Sequence, residues 1–135
     1  MSADTETRIL ETDAEPCAVL AILTHPKRIP EWAPAFADNV AGDDETGWRV
    51  IKDGRAFPMR LASDPASRTV RYLREVAPGR EGGATIQVLP GSSGGSAISM
   101  TLPVASGANP AVVAAVLKEE LAALSRLALQ ESAAP

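Results

Sequence analysis

The feature that most constrains the fold is a series of six short segments between residues 36 and 104, each with strand character. The segments read FADNV, WRVIK, RAFPMRLA, RTVRYLREV, ATIQVL and AISMTLPV, and turn-forming residues separate them. Alternation of apolar and polar residues indicates half-buried strands, and Asp53-Gly54 between the second and third segments is a strong two-residue hairpin signal. Consecutive strands joined in this way predict one antiparallel sheet.

Two glycine-rich connections, PGREGG and PGSSGGS, need a separate interpretation. Neither has the lysine and Ser/Thr of a Walker loop, and neither lies between a strand and a helix as a dinucleotide-binding loop does. We therefore interpret both as hairpin tips.

The segments before this region predict one strand and two short helices. TETRILET alternates as a first strand does. Thr12 with Glu15 has capping-box spacing, with Asp13 as an alternative cap, for a helix that ends before Pro26. The next segment, HPKRIPEWAP, has prolines at 26, 30 and 34, which leave room for a single helical turn.

The C-terminal segment predicts a long amphipathic helix of about twenty residues. Asn109 is its expected cap and Pro110 its first residue. Its apolar positions are Val112, Val113, Val116, Leu117, Leu121, Leu124 and Leu127. A helix with this pattern covers an apolar surface.

Composition indicates one globular domain. The chain has 135 residues, 45% of them apolar, and we expect a single domain over residues 1–135, ordered from about 5 to 129 with flexible termini. We find no signal-peptide pattern and no apolar run of roughly 20 residues. The sequence therefore predicts a cytoplasmic protein without a membrane span.

Charge and residue counts limit the kinds of partner, cofactor and reactive residue that we expect. The net charge is −4 and the arginines of the basic middle third are spread singly, so we expect no nucleic-acid partner. Cys17 is the only cysteine, which excludes an intrachain disulfide, and we expect a packed thiol there rather than a nucleophile. His25 is the only histidine and is expected in a solvated loop. No metal and no cofactor are predicted.

The order strand, helix, short helix, six strands and long helix resembles the helix-grip fold of the START-related (SRPBCC) superfamily. Polyketide cyclase-like proteins, lipid-transfer domains and plant pollen allergens belong to it. Within this order, TDAEPCAVLAILTHPKRIPEWAPAF is similar to the family's pattern of a helix followed by a tryptophan and a proline. The resemblance implies an α+β fold in which a curved, antiparallel seven-stranded sheet wraps around the C-terminal helix, with two short helices after the first strand.

Periodicity of the strands and the last helix then nominates residues for a cavity between the sheet and that helix, and Trp32 joins them because the two short helices are expected to close one end of this fold. They are Trp32, Phe57, Met59, Leu61, Val70, Tyr72, Arg74, Ile86, Val88, Ile98, Met100, Val113 and Leu117. Trp32 either shapes the cavity mouth or packs in the core without touching a ligand.

Tyr72 and Arg74 are the polar members of this set and the candidates for catalysis. Arg74 either binds a carboxylate, phosphate or enolate, or reaches water past the strand end. Tyr72 is either a core residue with a satisfied hydroxyl or an acid.

Three functions follow as hypotheses, and the sequence leaves open whether the chain is an enzyme. The first is binding or carriage of a small hydrophobic or amphipathic molecule in the cavity. The second is a polyketide cyclase-like or dehydratase-like enzyme that acts on an enolisable aromatic or polyketide substrate. The third is a protein-interaction module that uses Arg49, Arg60 and Arg71 on the outer sheet face. The oligomeric state also stays open, a homodimer being one alternative.

Overall fold

The computed structural model describes residues 5–104 and 108–133, so the predicted flexibility of the extreme termini lies outside the described residues. The strands are β1 (Thr5–Thr12), β2 (Asn39–Asp43), β3 (Gly47–Lys52), β4 (Arg55–Asp64), β5 (Thr69–Ala77), β6 (Arg80–Pro90) and β7 (Ser96–Pro103). The helices are α1 (Pro16–Leu23), a 3₁₀ turn (Pro26–Arg28), α2 (Ile29–Trp32) and α3 (Pro110–Ala133).

All seven strands form one antiparallel sheet in the order β1-β7-β6-β5-β4-β3-β2. Strands β2 to β7 are therefore consecutive neighbours, and β1 closes the edge beside β7. Helix α3 packs on β1 and β7, and α1 and α2 pack on α3. The predicted α+β architecture is confirmed.

Strand β4 changes its partners at its middle. Its first half, Arg55 to Met59, pairs with β3, and its second half, Arg60 to Asp64, pairs with β5. Pro58 lies in the first half, opposite Arg49, where no β5 residue is paired with β4. A proline has no amide hydrogen for a ladder, so it is tolerated where a strand is paired on one side only.

The hairpin signals are confirmed at one turn and corrected at another. Asp53 and Gly54 have φ of 52° and 77°, as a type I′ turn requires. PGREGG, however, is not a tip as a whole: Pro78 and Gly79 make the turn, and β6 begins at Arg80. Gly83 lies within β6. It must be glycine because its backbone lies against the Tyr72 carbonyl, where a Cβ would be only 1.8 Å from the oxygen.

Of the two predicted helix caps, one is confirmed and one is wrong. Asn109 caps α3 as predicted, since its Oδ1 accepts the Ala111 N–H at 2.9 Å. The capping box at the start of α1 is wrong: Glu15 is the N-cap residue and its side chain makes no cap hydrogen bond. The Thr12 hydroxyl oxygen instead accepts the Ala14 N–H and the Ser125 hydroxyl, and the second of these bonds ties the end of β1 to α3.

The core lies between the inner sheet face and the helices. Val19, Ile22 and Leu23 of α1 are buried in it, and Cys17 lies on the opposite side of the same helix. The predicted packed thiol is therefore wrong, because Cys17 is exposed. His25 is exposed as predicted, and its Nδ1 donates to the Ala21 carbonyl at 2.6 Å.

The helices of residues 5–104 and 108–133 include none that is both long and apolar enough to span a bilayer. The cytoplasmic location remains a prediction.

Candidate ligand-binding cavity

A cavity of about 310 Å³ lies at one end of the sheet, beneath the N-terminal half of α3. Its walls come from α2 and the residues after it, from β5, β6 and β7, and from α3. The lining residues are Ile29, Trp32, Ala33, Ala35, Phe36, Tyr72, Arg74, Gly83, Ala84, Leu102, Pro103, Val112, Val113, Val116 and Glu120. Most of these side chains are apolar, so the cavity suits a molecule with a largely apolar surface.

Trp32 is the largest of these side chains. Pro30 lies in the first turn of α2 and Pro34 follows its end, so the two rings restrict the backbone on either side of the indole. The Trp32 side chain is 3% exposed, and its ring centroid lies 6.0 Å from that of Tyr72. Its buried Nε1–H has no acceptor within the described part of the chain. The indole therefore belongs to both the core and the cavity wall.

Tyr72 is buried and its hydroxyl is already in use. The hydroxyl donates a 2.6 Å hydrogen bond to the carbonyl of Leu23, the last residue of α1. Burial also raises the pKa of the phenol well above its usual range. The geometry therefore favours the core reading of Tyr72, with a satisfied hydroxyl.

Arg74 is exposed and lies at the cavity mouth. Its guanidinium carbon is 4.8 Å from the centroid of the Phe57 ring, a cation–π geometry. Phe57 in turn meets Phe36 edge to face at 5.9 Å. The Arg74 guanidinium is thus held over one ring of an aromatic pair.

Glu120 is the polar lining residue that sequence reasoning missed. It is 6% exposed, in the middle of α3, and its carboxyl has no hydrogen bond or ion pair within residues 5–104 and 108–133. Burial, and then the neighbouring Glu119 carboxylate, raise its pKa to about 7. A signal was present, because Leu117, Glu120 and Leu124 follow one another at helical spacing on the buried face.

The predicted cavity residues fall into two groups. Four of them line the cavity: Trp32, Tyr72, Arg74 and Val113. The other nine pack in or against the hydrophobic core: Phe57, Met59, Leu61, Val70, Ile86, Val88, Ile98, Met100 and Leu117. Most of the predicted residues therefore belong to the packed core, and the cavity lies at one end of it.

A surface groove of about 370 Å³ lies next to the cavity, between α2 and α3. It shares Trp32, Ala35, Val116 and Glu120 with the cavity, and these four residues form what we call the shared wall. Among the described residues there is no group of three or more His, Cys, Asp or Glu placed to hold a metal ion.

Comparison with known proteins gives structural matches only. No family model and no curated protein matches the chain. A START superfamily protein from Mycobacterium smegmatis matches with a TM-score of 0.64 at 16% identity, over 93% of this chain and 97% of its own. The Zhui aromatase/cyclase from Streptomyces sp. R1128 matches with a TM-score of 0.61 at 17% identity, over 96% and 93%.

The AHSA1-like protein from Aeromonas hydrophila matches with a TM-score of 0.68 at 18% identity, over 96% of this chain and 94% of its own. The coverage is nearly complete but the identities are low, so these matches are evidence for the fold alone. Together with the sheet order and the position of α3, they show that the chain has the helix-grip fold of START-superfamily and aromatase/cyclase proteins.

Proposed function

We propose that this chain binds a small, largely apolar molecule in the cavity beneath α3. The observation that carries the proposal is the cavity itself, about 310 Å³ in volume, with Arg74 and Phe36 among its lining residues. Ligand sites in proteins range from roughly 300 to 1,000 Å³ and combine apolar walls with a few polar groups. This cavity is at the small end of that range, so it suits a compact molecule rather than a long acyl chain.

The polar groups support binding with a defined orientation. Arg74 stands at the mouth and Glu120 lies deeper, on α3, while Val113 and Leu102 supply apolar surface. One end of a ligand would therefore meet a cation near solvent, and the other would meet a buried carboxyl. We retain ligand contact by Trp32, Tyr72, Arg74 and Val113 as part of this proposal.

A fragment screen by NMR tests it. Compounds of naphthalene size are added to the isotope-labelled protein, and saturable shifts are followed at the Ala84, Val113 and Val116 amides. We expect a subset of the compounds to shift these signals together. A panel without any saturable shift, or with shifts only at residues remote from the cavity, would contradict the proposal.

Glu120 also favours a second function, acid–base chemistry on an enolisable carbonyl compound. A carboxyl with a pKa of about 7 exchanges protons readily at neutral pH. No carboxyl was among the residues that the sequence nominated for catalysis. An ionised Glu120 would remove a proton from the carbon next to a carbonyl and return it to the product. Arg74 is the remaining candidate for stabilising an enolate oxygen.

Deuterium exchange distinguishes this function from simple binding. The methyl protons of 2-acetonaphthone exchange slowly with D₂O, and ¹H NMR follows their loss. An enzyme of this class would accelerate the exchange, and Glu120→Gln would remove the acceleration. Exchange at the buffer rate in the presence of wild-type protein would exclude this enzyme activity and leave ligand binding as the proposed function.

The interaction-module hypothesis has weaker support. Arg60 and Arg71 are exposed on the outer face, but Arg60 Nη2 lies 2.7 Å from Glu81 Oε1. Arg60, and more weakly Arg71, lower the pKa of that carboxyl. The basic surface is thus partly neutralised by the chain's own acid.

A further inference from the structure

Glu120 is held in a position that ordinarily takes an apolar side chain. Leu117, Leu121 and Leu124 surround it along α3, and each of them is 2% exposed or less. A carboxyl buried to this extent is destabilising unless another group satisfies it. None of the described residues does so by a hydrogen bond or an ion pair. The carboxyl belongs to the shared wall, so it borders the cavity on one side and the groove on the other.

The charged groups around Glu120 do not neutralise it. Glu119 immediately precedes it on α3 and repels its negative form. Arg74, from β5, holds its guanidinium over Phe57. In the groove, Glu31 of α2 hydrogen-bonds to Arg28, and Arg126 of α3 forms no ion pair with Glu120.

These surroundings favour the protonated carboxyl, whose pKa is raised to about 7 by burial and by Glu119. A protonated carboxyl presents an O–H donor. Trp32, on the same wall, carries a second buried donor without an acceptor among the described residues. The Tyr72 hydroxyl, by contrast, already donates to the Leu23 carbonyl. The shared wall therefore presents hydrogen-bond donors for which residues 5–104 and 108–133 supply no acceptor.

We infer that the cavity selects a compact apolar molecule with a neutral carbonyl oxygen, which accepts a hydrogen bond from the protonated Glu120. This inference rests on the proposed function and adds the chemical class of the ligand. An ammonium group fits less well, because it would share the cavity with Arg74. A carboxylate head group next to Glu120 would place two acids together in apolar surroundings.

Calorimetric titration with three probes of nearly the same shape tests the inference. 2-Acetonaphthone carries the carbonyl oxygen, 2-isopropylnaphthalene replaces it by a methyl group, and 1-(2-naphthyl)ethylamine replaces it by an ammonium. Each probe is titrated at pH 5.5 and at pH 8.5 into the wild-type protein and into Glu120→Gln. The glutamine keeps a hydrogen-bond donor at both pH values.

We expect the ketone to bind wild-type protein at least about tenfold more tightly at pH 5.5 than at pH 8.5, since a unit of pH above the pKa removes about nine-tenths of the acid form. In Glu120→Gln its affinity should not depend on pH. The hydrocarbon should bind wild-type protein more weakly than the ketone at pH 5.5 and show no pH dependence.

Two results would overturn the inference and leave the proposed function standing. One is equal, pH-independent binding of the ketone and the hydrocarbon, with shifts at the Ala84 and Val113 amides that place both in the cavity. The other is tighter binding of the amine at pH 8.5, which would make the ionised carboxylate a counter-ion. Failure of all three probes to bind at either pH would count against both the inference and the proposed function.

Discussion

The hydroxyl of Tyr72 on β5 donates a 2.6 Å hydrogen bond to the carbonyl of Leu23 at the end of α1. Both residues are buried, and the bond joins the centre of the sheet to the helical layer next to the cavity. The Leu23 carbonyl is among the last four of its helix, which have no partner within the helix. Tyr72 therefore stabilises the position of α1, and with it the start of the segment that carries Trp32.

Tyr72→Phe should lower the free energy of unfolding by about 1 to 3 kcal/mol, because the Leu23 carbonyl stays buried without its donor. Urea denaturation measures the change. Ser63→Ala, which deletes an exposed hydroxyl on β4, is the control and should change stability by no more than about 0.5 kcal/mol. Equal stability of Tyr72→Phe and wild type would show that the hydrogen bond makes no net contribution to the free energy of unfolding.

Glu120→Gln should stabilise the protein at high pH and not at low pH. The folded-state pKa is about 7 and the ordinary value is 4.5, so the folded state holds its proton longer than the unfolded state. Stability of the wild type should therefore fall as the pH rises from about 4.5 to about 7, and the loss is complete above that range. Glutamine does not titrate, so the variant avoids this loss.

The expected difference between Glu120→Gln and wild type is close to zero near pH 4.5 and about 1 to 3 kcal/mol near pH 8. Denaturation curves at a series of pH values measure it. Glu119→Gln makes the same chemical change at an exposed neighbour and should show a much smaller trend. A pH-independent difference for Glu120→Gln would mean that the carboxyl is solvated in the folded protein.

Gly83→Ala should be strongly destabilising, by about 3 kcal/mol or more. Gly83 has a φ of +153°, and a Cβ there would lie 1.8 Å from the backbone oxygen of Tyr72. Gly79→Ala is the matched control, since its φ of +74° is also positive but a Cβ there meets nothing within 4 Å. We expect thermal unfolding to show a cost of only about 1 kcal/mol for the control. Similar losses for the two variants would mean that β5 and β6 can separate at this point.

Much of the fold was predictable because its signals are local. Asp53-Gly54 specifies a tight hairpin from two adjacent residues, and Asn109-Pro110 specifies a helix start in the same way. Strand parity then assigned Ile86 and Ile98 to the buried face, where the structure has them. Pro58 is a local signal of the same kind, because a proline cannot donate to a ladder and β4 is paired on one side only at that position.

The cavity was less predictable because it depends on how the elements pack. Alternation places Val88 and Met100 on the inner face, but it does not say whether other side chains or open space will face them. Helix α3 lies over β1 and β7, and the interior there is filled. The cavity is open where Gly83 and Ala84 of β6 offer little side-chain volume opposite Val113 and Val116 of α3. Such a match of small and larger residues across two elements distant in sequence is not a local signal.

Glu120 illustrates the same limit in another way. Its position on the buried face of α3 can be read from the helical period, but a glutamate in that pattern is as readily placed at the edge of the face, in water. Its burial depends on α2 and Trp32, which pack beside it. Cys17 is the opposite case, an apolar residue in an apolar helix that the packing leaves exposed.

The measurement that tests the central claim most directly is ligand binding to a protein whose cavity has been filled. Ala84→Phe adds a ring from β6 into the cavity, and Ala56→Phe adds the same ring at an exposed position of β4. Both variants are first shown to be folded by cooperative urea unfolding. We expect compounds that shift the Ala84 and Val113 amides of the wild type to bind Ala56→Phe unchanged and Ala84→Phe at least tenfold more weakly, a loss of about 1.4 kcal/mol or more. Equal affinities for the two folded variants would contradict the account.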